Sequence, residues 1–580
     1  MSKYYTNERT VQIILSLLKA HGVKKVVASP GTTNLSLVAS MQQDPYFEMY
    51  SSVDERSAAY IACGLSLESG EPVVITCTGA TASRNYMPGL TEAFYRKLPI
   101  IALTANQGVK NIGHLIAQNI DRRQSPSDIV KMKVDIPVVK DESDAWLCNV
   151  NVNKALLELT HHGGGPVHIN YSTNYSRDYS VKELPQERII KRISVYDVPP
   201  VLSTQKKIAI FIGSHQKFTQ EETELIEHFC EVYNAVVFCD HTSSYHGKYR
   251  IQYALVCSQS ASDQTRHMDL LIHIGEISGD YYSLGIIPKE VWRVSEDGEV
   301  KDFFKKMTYV FEMSEKYFFS IYAKGEKHST EYWKECNANY QNIYSLIPEL
   351  PFSNIWVAKQ LADKLPAHSV LHLGILNTLR SWNFFKVPET VETYCNVGGF
   401  GIDGIMSTLL GASLANPEKI FFGILGDLAF FYDMNSIANR HVGFNLRIML
   451  INNGRGTEFT NYSHPGHAFG KDADLFIAAA GHYGRKSPNL VRHYAEDLGF
   501  TYITASNKEE FNKVYMEFVT PEILSKPILF EIFTDSEDES TALETIRNIV
   551  VAPKSIKQFV KDIANQVLGE DTVRNFRNKI

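Results

Sequence analysis

Short, almost wholly apolar runs recur along the chain with helical stretches between them, and this alternation constrains the fold more than any other feature. In the N-terminal third the runs are residues 25–28, 73–76 and 100–103. Runs that are apolar throughout predict strands buried on both faces, with the helices as crossovers between parallel strands. The pattern therefore predicts an α/β fold made of doubly wound parallel sheets.

The same alternation appears three times, which predicts three domains. Length agrees, because a chain of 580 residues is longer than one hydrophobic core usually organises. The middle runs are residues 207–212, 235–239 and 269–274, preceded by a proline-containing linker at 183–203. Residues 310–351 and 432–440 are expected to be helical. The expected domains are residues 1–185, 200–345 and 352–580.

Two polar segments follow neighbouring strand runs in the C-terminal third. Asp427 comes after the run 419–425, and Asn453 comes after the run 446–451. Parallel sheets place ligands at the carboxyl ends of their strands, so these two side chains should lie side by side. With the backbone carbonyl of Arg455 they form an oxygen set suited to Mg²⁺ shared with phosphate. Either segment alone is equally compatible with an ordinary strand-to-loop turn.

A further carboxylate, Glu55, stands far earlier in the chain at the expected start of a helix. The apolar face of that helix consists of Ala58, Ala59, Ile61, Ala62 and Leu65. A glutamate in a first turn is stabilised by the helix dipole, which is the simpler explanation. The functional alternative is a buried carboxyl that hydrogen-bonds a pyrimidine ring nitrogen. Together, Glu55 and the pair Asp427 and Asn453 provide what thiamine diphosphate requires, an acid for its pyrimidine and a metal site for its diphosphate.

Motifs that carry a family resemblance are spread along nearly the whole chain. They include Ser29-Pro30-Gly31 and residues 54–59, 77–82, 118–121, 165–170, 401–404 and 426–428. The chain resembles thiamine diphosphate-dependent enzymes of the acetolactate synthase and pyruvate decarboxylase superfamily. Within it, the chain is most similar to the 2-succinyl-5-enolpyruvyl-6-hydroxy-3-cyclohexene-1-carboxylate synthases. The resemblance implies pyrimidine-binding, central and diphosphate-binding domains, with thiamine diphosphate and Mg²⁺ as cofactors.

The resemblance also implies a role for each matching position. Glu55 corresponds to the acid that activates the cofactor, and Gln118 to an amide that carboligases keep. Ile402 corresponds to the apolar residue that bends the cofactor, although isoleucine is most often an ordinary core residue. The other cofactor-binding positions are Gly31, Asn85, Asp403, Gly426, Asp427, Leu428 and Asn453.

Three departures from the family pattern concern the substrate. The related synthases carry arginines at the positions of Thr33, Gln107 and Val397. Those arginines hold carboxylates through bidentate contacts, which no neutral side chain replaces. Isochorismate is therefore not expected to be the acceptor. Arg380 is expected to hold the carboxylate of a 2-oxo acid, although a surface arginine on a helix fits the sequence equally well.

The loop after Asn453 is the expected acceptor pocket, with Glu458 and His464 as substrate contacts beside Thr33 and Arg380. A zinc site at His464 and His467 is not expected, because no further ligands are indicated nearby. These features predict decarboxylation of a 2-oxo acid followed by transfer of the acyl-anion equivalent to an acceptor, as in acetolactate synthase-like carboligases. The alternatives are simple decarboxylation of the phosphonopyruvate or sulfopyruvate type and a non-catalytic homologue. The resemblance implies a homodimer or homotetramer, because relatives share the cofactor between subunits.

Composition excludes several other classes of protein. The formal net charge is −7 and no basic tract occurs, so nucleic acid is not expected as a partner. No apolar stretch reaches the length of a membrane span, and the N-terminus lacks a signal-peptide core. The eight cysteines are scattered without CxxC pairs, which suits a reducing compartment. We expect a cytoplasmic enzyme that acts on small molecules.

Overall fold

The structure is a computed structural model that describes residues 4–122, 124–261, 263–482 and 487–551. The chain divides into two compact units. The first comprises the residues up to Pro199 with Val291–Met313, and the second comprises Pro200–Glu290 with the residues from Ser314 onward. The described strands form three sheets, and each described strand pair is parallel. The predicted α/β class is therefore confirmed.

The N-terminal sheet contains six strands in the order β2-β1-β3-β4-β6-β5. Its elements are α1 (Arg9–Ala20), β1 (Lys25–Ala28), α2 (Leu35–Gln42), β2 (Glu48–Ser51), α3 (Glu55–Ser69), β3 (Val73–Cys77), α4 (Thr81–Asn85), α5 (Met87–Tyr95), β4 (Ile100–Asn106), β5 (Met132–Ile136), α6 (Glu142–Glu158) and β6 (Val167–Ser172). The predicted strands are β1, β3 and β4. The edge strand β2 is mostly exposed, so it lacks the apolar run that identifies the inner strands.

Helices cover both faces of this sheet, which explains why its inner strands are apolar throughout. Successive residues of a strand point to opposite faces. Val26 and Val74 pack with helix α1 in one core cluster, whereas Val27 and Ile75 pack with Ala59 of α3 in another. The second of these clusters fixes α3, and with it Glu55, against the sheet.

The middle elements are β7 (Lys191–Ser194), β8 (Ile208–Ile212), α7 (Gln220–Tyr233), β9 (Val236–Cys239), β10 (Arg250–Gln252), α8 (Ala254–Cys257), β11 (His267–Ile274), β12 (Ile287–Val294), β13 (Met307–Glu312), α9 (Glu315–Tyr322) and α10 (Glu331–Ser345). Within the second unit the strand order is β10-β9-β8-β11. Within the first unit, β13 lies between β7 and the end of β12. Two expectations need correction: strand β7 lies inside the expected linker 183–203, and the expected helical stretch 310–351 begins in strand β13.

The C-terminal elements are α11 (Asn354–Leu361), β14 (Val370–Leu373), α12 (Asn377–Asn383), β15 (Glu392–Cys395), α13 (Ile405–Ala415), β16 (Phe421–Gly426), α14 (Asp427–Asp433), β17 (Leu446–Asn452), α15 (Ala473–Phe476), α16 (Leu490–Asp497), β18 (Thr501–Ala505), α17 (Lys508–Phe518), β19 (Ile528–Phe533) and α18 (Ser536–Arg547). The strand order is β15-β14-β16-β17-β19-β18. The helix expected at 432–440 instead begins at Asp427, and Met434–Ala438 forms a 3₁₀ turn.

Seven of the eight cysteines are buried, and Cys395 is partly buried. Across the described ranges, the helices are too short or too polar to cross a membrane. The expected division into three domains stays a prediction, and its last segment, 552–580, lies outside the described residues.

Candidate functional site

Asp427 and Asn453 come together at the carboxyl edge of the C-terminal sheet. Strands β16 and β17 are neighbours, with Gly426 paired to Ile451, so both strands end at the same place. Asp427 is 5% exposed and Asn453 is 8% exposed. The Asp427 carboxylate accepts hydrogen bonds from the backbone N–H groups of Leu428 (2.7 Å) and Gly454 (2.5 Å). These contacts fix the carboxylate at the strand end.

The turn after Asn453 contains Gly454 and Arg455. Gly454 has φ +73°, a conformation that favours glycine. Arg455 directs its guanidinium to Asp474, with Nη1 2.9 Å from Oδ1. The Arg455 carbonyl accepts from the Thr457 N–H at 3.0 Å. A carboxylate, an amide and a backbone carbonyl are the donor types that a hard cation such as Mg²⁺ prefers.

A cleft of about 180 Å³ opens beside this edge. It is lined by Asp427, Leu428, Asn453, Ile402, Leu376 and Phe459, among others. Ile402 is partly buried and packs on the C-terminal core, so it lies at the apolar end of the cleft. Leu376 has φ +69°, an uncommon conformation that clusters at functional sites. The cleft therefore combines a polar edge that contains Asp427 and Asn453 with an apolar wall.

Helix α13 is tied to the segment before it and to helix α14 by side-chain hydrogen bonds. Asn396 Nδ2 donates to the Thr408 hydroxyl at 3.0 Å. Asp433 accepts from the Ser407 backbone N–H and hydroxyl, both at 2.6 Å. Asp403 is exposed and does not line the cleft, although it was expected to bind the cofactor.

Two buried carboxyl groups near the cleft were missed by sequence reasoning. Burial raises the pKa of Glu531, which accepts hydrogen bonds from Asn452 and Tyr502, both at 2.7 Å. Burial also raises the pKa of Glu539 to about 7. Glu539 lines the cleft and accepts from the Asn354 backbone N–H at 2.9 Å. The position of Glu531 within the apolar run 528–533 is the signal that could have indicated its burial, whereas nothing in the sequence distinguishes Glu539 from an ordinary surface glutamate.

In the first unit, Glu55 begins helix α3 as expected. Asp54 is the N-cap and accepts from the Arg56 backbone N–H at 3.0 Å and the Ser57 hydroxyl at 2.8 Å. Glu55 is half-buried and Asn85 is exposed, and Asn85 Nδ2 donates to Glu55 Oε2 at 3.0 Å. The expectation of a buried carboxyl is therefore wrong for the single chain, because the helix start lies at the surface of the unit.

Gly31 and Thr33 lie in the loop after strand β1. A Cβ at Gly31 would lie 2.5 Å from the Thr78 Cβ, so this close approach requires glycine. The Thr33 hydroxyl is 2.6 Å from that of Thr78 and accepts from the Gly79 N–H at 3.2 Å. Gln118 is exposed with φ +63°. The Thr33 hydroxyl is therefore engaged in contacts with Thr78 and Gly79, whereas the Gln118 side chain is open to solvent.

A pocket of about 270 Å³ adjoins the cleft, since Asn377, Glu458 and Glu539 line both. Arg380 and His464 line this pocket, and Arg380 Nη1 donates to Glu458 Oε1. Arg380 is therefore partly buried rather than a free surface arginine. Tyr281, Tyr282 and Arg547 also line the pocket. Sequence reasoning missed all three, because they lie in distant segments with no recognisable motif.

Comparison with known proteins identifies a matching family profile. The family profile described as "Thiamine pyrophosphate enzyme, N-terminal TPP binding domain" matches residues 8–125, which include Gly31, Thr33, Glu55, Asn85 and Gln118.

Relatives of full length are also found. A protein from Phocaeicola vulgatus named 2-succinyl-5-enolpyruvyl-6-hydroxy-3-cyclohexene-1-carboxylate synthase is 33% identical, over 93% of this chain and 98% of its own. One of the same name from Bacteroides fragilis is 32% identical over the same shares. Another, from Flavobacterium johnsoniae, is 25% identical over 93% of this chain and 98% of its own. Similarity therefore extends over the whole length of these relatives.

Proposed function

The chain belongs to the thiamine diphosphate-dependent enzyme family of the 2-succinyl-5-enolpyruvyl-6-hydroxy-3-cyclohexene-1-carboxylate synthases, and on that premise we propose that it decarboxylates a 2-oxo acid and transfers the resulting acyl group to an acceptor. The observation that carries the proposal is Glu55 at the start of α3, with its carboxylate hydrogen-bonded by Asn85. A non-catalytic homologue would have no functional need for that pair, nor for Asp427 and Asn453 at the edge of the C-terminal sheet.

The residues at the C-terminal sheet edge fit the cofactor and its metal. Asp427, Asn453 and the Arg455 carbonyl supply the oxygen donors for Mg²⁺, and the cation offsets the charge of a diphosphate. Ile402 and Leu428 offer the apolar wall for the ring system. When bound, thiamine diphosphate supplies a nucleophilic carbon and an electron sink.

Glu55 would share a proton with the pyrimidine ring nitrogen of the cofactor. A carboxyl group that changes protonation during the reaction typically contributes roughly 10²–10⁴-fold to the rate. Asn85 holds the Glu55 carboxylate in place through the 3.0 Å hydrogen bond. Gln118 would contact the substrate as an amide, as the family resemblance implies.

The acceptor is proposed to differ from isochorismate. Thr33 and Val397 are 2% and 4% exposed, and Gln107 accepts a hydrogen bond from Asn119 at 3.2 Å. None of the three supplies a cation for a substrate carboxylate. A charge-assisted hydrogen bond is worth about 1.5–3 kcal/mol, so three such losses would lower efficiency by many orders of magnitude.

A homodimer or homotetramer is also proposed. In the single chain Glu55 is half-buried and Asn85 is exposed, and exposed apolar side chains continue along α3 at Tyr60, Ile61 and Leu67. Such a patch beside a functional carboxylate favours coverage by another subunit.

The test is product analysis with a panel of 2-oxo acids. Purified protein with thiamine diphosphate and Mg²⁺ is assayed for CO₂ with and without added aldehydes, and separately with 2-oxoglutarate and isochorismate. We expect CO₂ release with a new carbon–carbon bond when a suitable acceptor is present. Aldehyde as the sole product would favour simple decarboxylation, and efficient reaction with isochorismate would contradict the proposed acceptor class. Absence of CO₂ release with every acid would contradict the proposal itself.

A further inference from the structure

Two adjacent histidines and a distant glutamate converge at one point of the first unit. His161 and His162 belong to the 3₁₀ turn that follows helix α6, and Glu312 ends strand β13. The Nε2 atom of His161 lies 3.1 Å from Glu312 Oε2, and that of His162 lies 2.7 Å from Glu312 Oε1. Among the residues that the structure describes, these three form a group whose ligand atoms all lie within 4.8 Å of one another. Imidazole nitrogens and a carboxylate oxygen are a common ligand set for Zn²⁺.

A second carboxylate holds His161 in the orientation of a metal ligand. Nδ1 of His161 donates to Glu158, at 3.0 Å and 3.1 Å from its two oxygens. Arg192 Nη2 in turn donates to Glu158 at 2.9 Å. Metal-binding histidines usually donate their second ring N–H to a carboxylate in this way, which fixes the tautomer and leaves the other nitrogen available to the ion.

The other ring nitrogen of His161 faces a group that cannot complement it. In a neutral imidazole one nitrogen donates and the other accepts. Because Nδ1 donates to Glu158, Nε2 carries the lone pair, and the Glu312 oxygen that it faces is also an acceptor. This Nε2 atom is buried and makes no hydrogen bond within the described part of the chain. Native proteins rarely leave a buried polar atom so, and the arrangement therefore favours a cation between the ring and the carboxylate.

The neighbouring cations are engaged elsewhere. Arg192 Nε lies 3.9 Å from Glu312 Oε2 but donates to the Gly298 carbonyl at 3.1 Å. Lys131 donates to the backbone carbonyl of His161, not to its ring. Neither side chain lies between His161 and Glu312 as the missing donor.

The conformation of His162 also favours a metal ion over a second proton on His161. His162 has φ +46°, an uncommon conformation for a residue other than glycine that clusters at functional and ligand-binding sites. It stacks the two imidazole rings with their centres 3.8 Å apart and directs both Nε2 atoms to one carboxylate. A proton on His161 satisfies one ring, whereas a divalent ion accepts the lone pairs of both rings and of the carboxylate.

Only small movements are needed to admit the ion. Zinc bonds of 2.0–2.2 Å in tetrahedral geometry place ligand atoms about 3.4 Å apart. The contact of Glu312 with His161 is close to this spacing, and that with His162 must widen. The His162 side chain is 72% exposed, so its ring can move outward. A Cβ at Gly298 would lie 2.9 Å from Glu312 Cγ, so the glycine makes room for the carboxylate.

We propose that His161, His162 and Glu312 bind a divalent transition-metal ion of the zinc type, with Glu158 orienting His161. All four residues lie in the first unit. The ion joins the turn after α6 to the end of a strand 150 residues later in the chain, and it stabilises the folded unit because the unfolded chain does not hold these ligands together. This site is separate from the oxygen donors Asp427 and Asn453 and needs neither thiamine diphosphate nor catalysis.

The experiment is calorimetric titration of the full chain, prepared without a histidine tag, with ZnCl₂ in excess MgCl₂. Mg²⁺ prefers oxygen ligands, so its excess occupies oxygen-donor sites and competes poorly for imidazole. We expect a single Zn²⁺ to bind per chain under these conditions. Zn²⁺ should also raise the midpoint of thermal unfolding of the wild type.

Substitutions then locate the site. Changes to outer-shell partners alone typically weaken metal binding about 10–100-fold, so loss of a direct ligand should weaken it at least about tenfold. His162→Ala removes the exposed ligand with little effect on packing, and Glu312→Gln removes the charged ligand but keeps its shape. The matched control is His493→Ala, an exposed histidine on α16, which should leave Zn²⁺ affinity and the thermal shift unchanged.

Two results would overturn the inference. In the first, Zn²⁺ does not bind the wild type in excess Mg²⁺, which would leave a protonated His161 as the partner of Glu312. In the second, His162→Ala and Glu312→Gln both bind Zn²⁺ as the wild type does. Binding that is lost in both variants and kept in His493→Ala would confirm the site.

Discussion

At the scale of single residues, Asp427 is the acidic side chain at the carboxyl edge of the C-terminal sheet. Its carboxylate lies at the end of strand β16 and is held by two backbone N–H groups. Sequence alone was sufficient to identify it, because an acidic residue directly after a buried parallel strand lies at the edge where such sheets bind ligands.

Asp427→Ala should abolish Mg²⁺-dependent retention of thiamine diphosphate. A diphosphate at a sheet edge needs its cation to offset its charge, and the variant removes the only acidic ligand we assign. Titration of the variant with cofactor in the presence and absence of Mg²⁺ measures the effect. Asp497→Ala, at the exposed end of α16, is the control. Unchanged cofactor affinity in Asp427→Ala would place the metal elsewhere.

Glu539 should make stability depend on pH. Burial raises its pKa from 4.5 to about 7, so the folded state holds the proton more tightly than the unfolded state. The stability that this group contributes is complete below about pH 4.5 and is lost as pH rises toward 7, by roughly 3 kcal/mol at most. Glu539→Gln should therefore gain thermal stability relative to wild type between pH 5 and pH 8.

The measurement is the midpoint of thermal unfolding at several pH values. Glu544→Gln, exposed on the same helix, should follow the wild-type profile. A Glu539→Gln profile parallel to that of the wild type across this range would show that the carboxyl does not titrate there.

At the scale of elements, the contact between α3 and α5 positions Glu55. A Cβ at Gly89 would lie 2.4 Å from the Ala59 Cβ, so the two helices touch at a point that only glycine permits. Gly89→Ala should destabilise the protein by about 1–3 kcal/mol through overpacking and should disturb the helix that carries Glu55.

The compensating change gives a matched test. Because the clash is with the Ala59 Cβ, the double variant Gly89→Ala with Ala59→Gly should recover part of the loss in thermal unfolding. If the double variant is as unstable as the sum of the two single variants, the helices do not meet as described.

Elements were predictable where their burial was complete. Strands β3, β4, β8 and β17 are buried along nearly their whole length, so their apolar runs identified them. Strand β7 reads Lys-Arg-Ile-Ser and is largely exposed or half-buried, and it forms through pairing with β13. Its sequence therefore carries no apolar signal. The helix before Met434 was misplaced because it begins at Asp427, directly after strand β16 and without an intervening loop.

At the scale of the whole molecule, the site residues fall into two classes. Glu55, Asp427 and Asn453 were predictable, because each lies at a strand or helix end that the local pattern defines. Tyr281, Tyr282 and Arg547 were not, because the pocket forms only when the segment after β11 and the end of α18 pack in one unit. The local sequence of these two segments does not indicate that they will pack against each other.

Subunit mixing tests the proposed assembly. Chains with Glu55→Gln and chains with Asp427→Ala should each be inactive. If each site takes Glu55 from one subunit and Asp427 from another, mixed dimers regain intact sites. Random exchange of equal amounts should restore about a quarter of the wild-type activity in a two-fold symmetric dimer. If native mass spectrometry verifies subunit exchange and no activity is recovered, the result would contradict shared sites. An active monomer in analytical ultracentrifugation would contradict them as well.

The central claim is that Glu55 activates bound thiamine diphosphate, and the exchange of the thiazolium C2 proton for deuterium tests it without knowledge of the substrate. Wild-type protein and Glu55→Gln are loaded with cofactor and Mg²⁺, mixed with D₂O, quenched and analysed by NMR. Glu142→Gln is the control, since Glu142 also begins a helix behind an aspartate N-cap. We expect Glu55→Gln to bind the cofactor but to exchange about 10²-fold more slowly or worse, with Glu142→Gln unchanged. Equal exchange rates in Glu55→Gln and wild type would contradict the account.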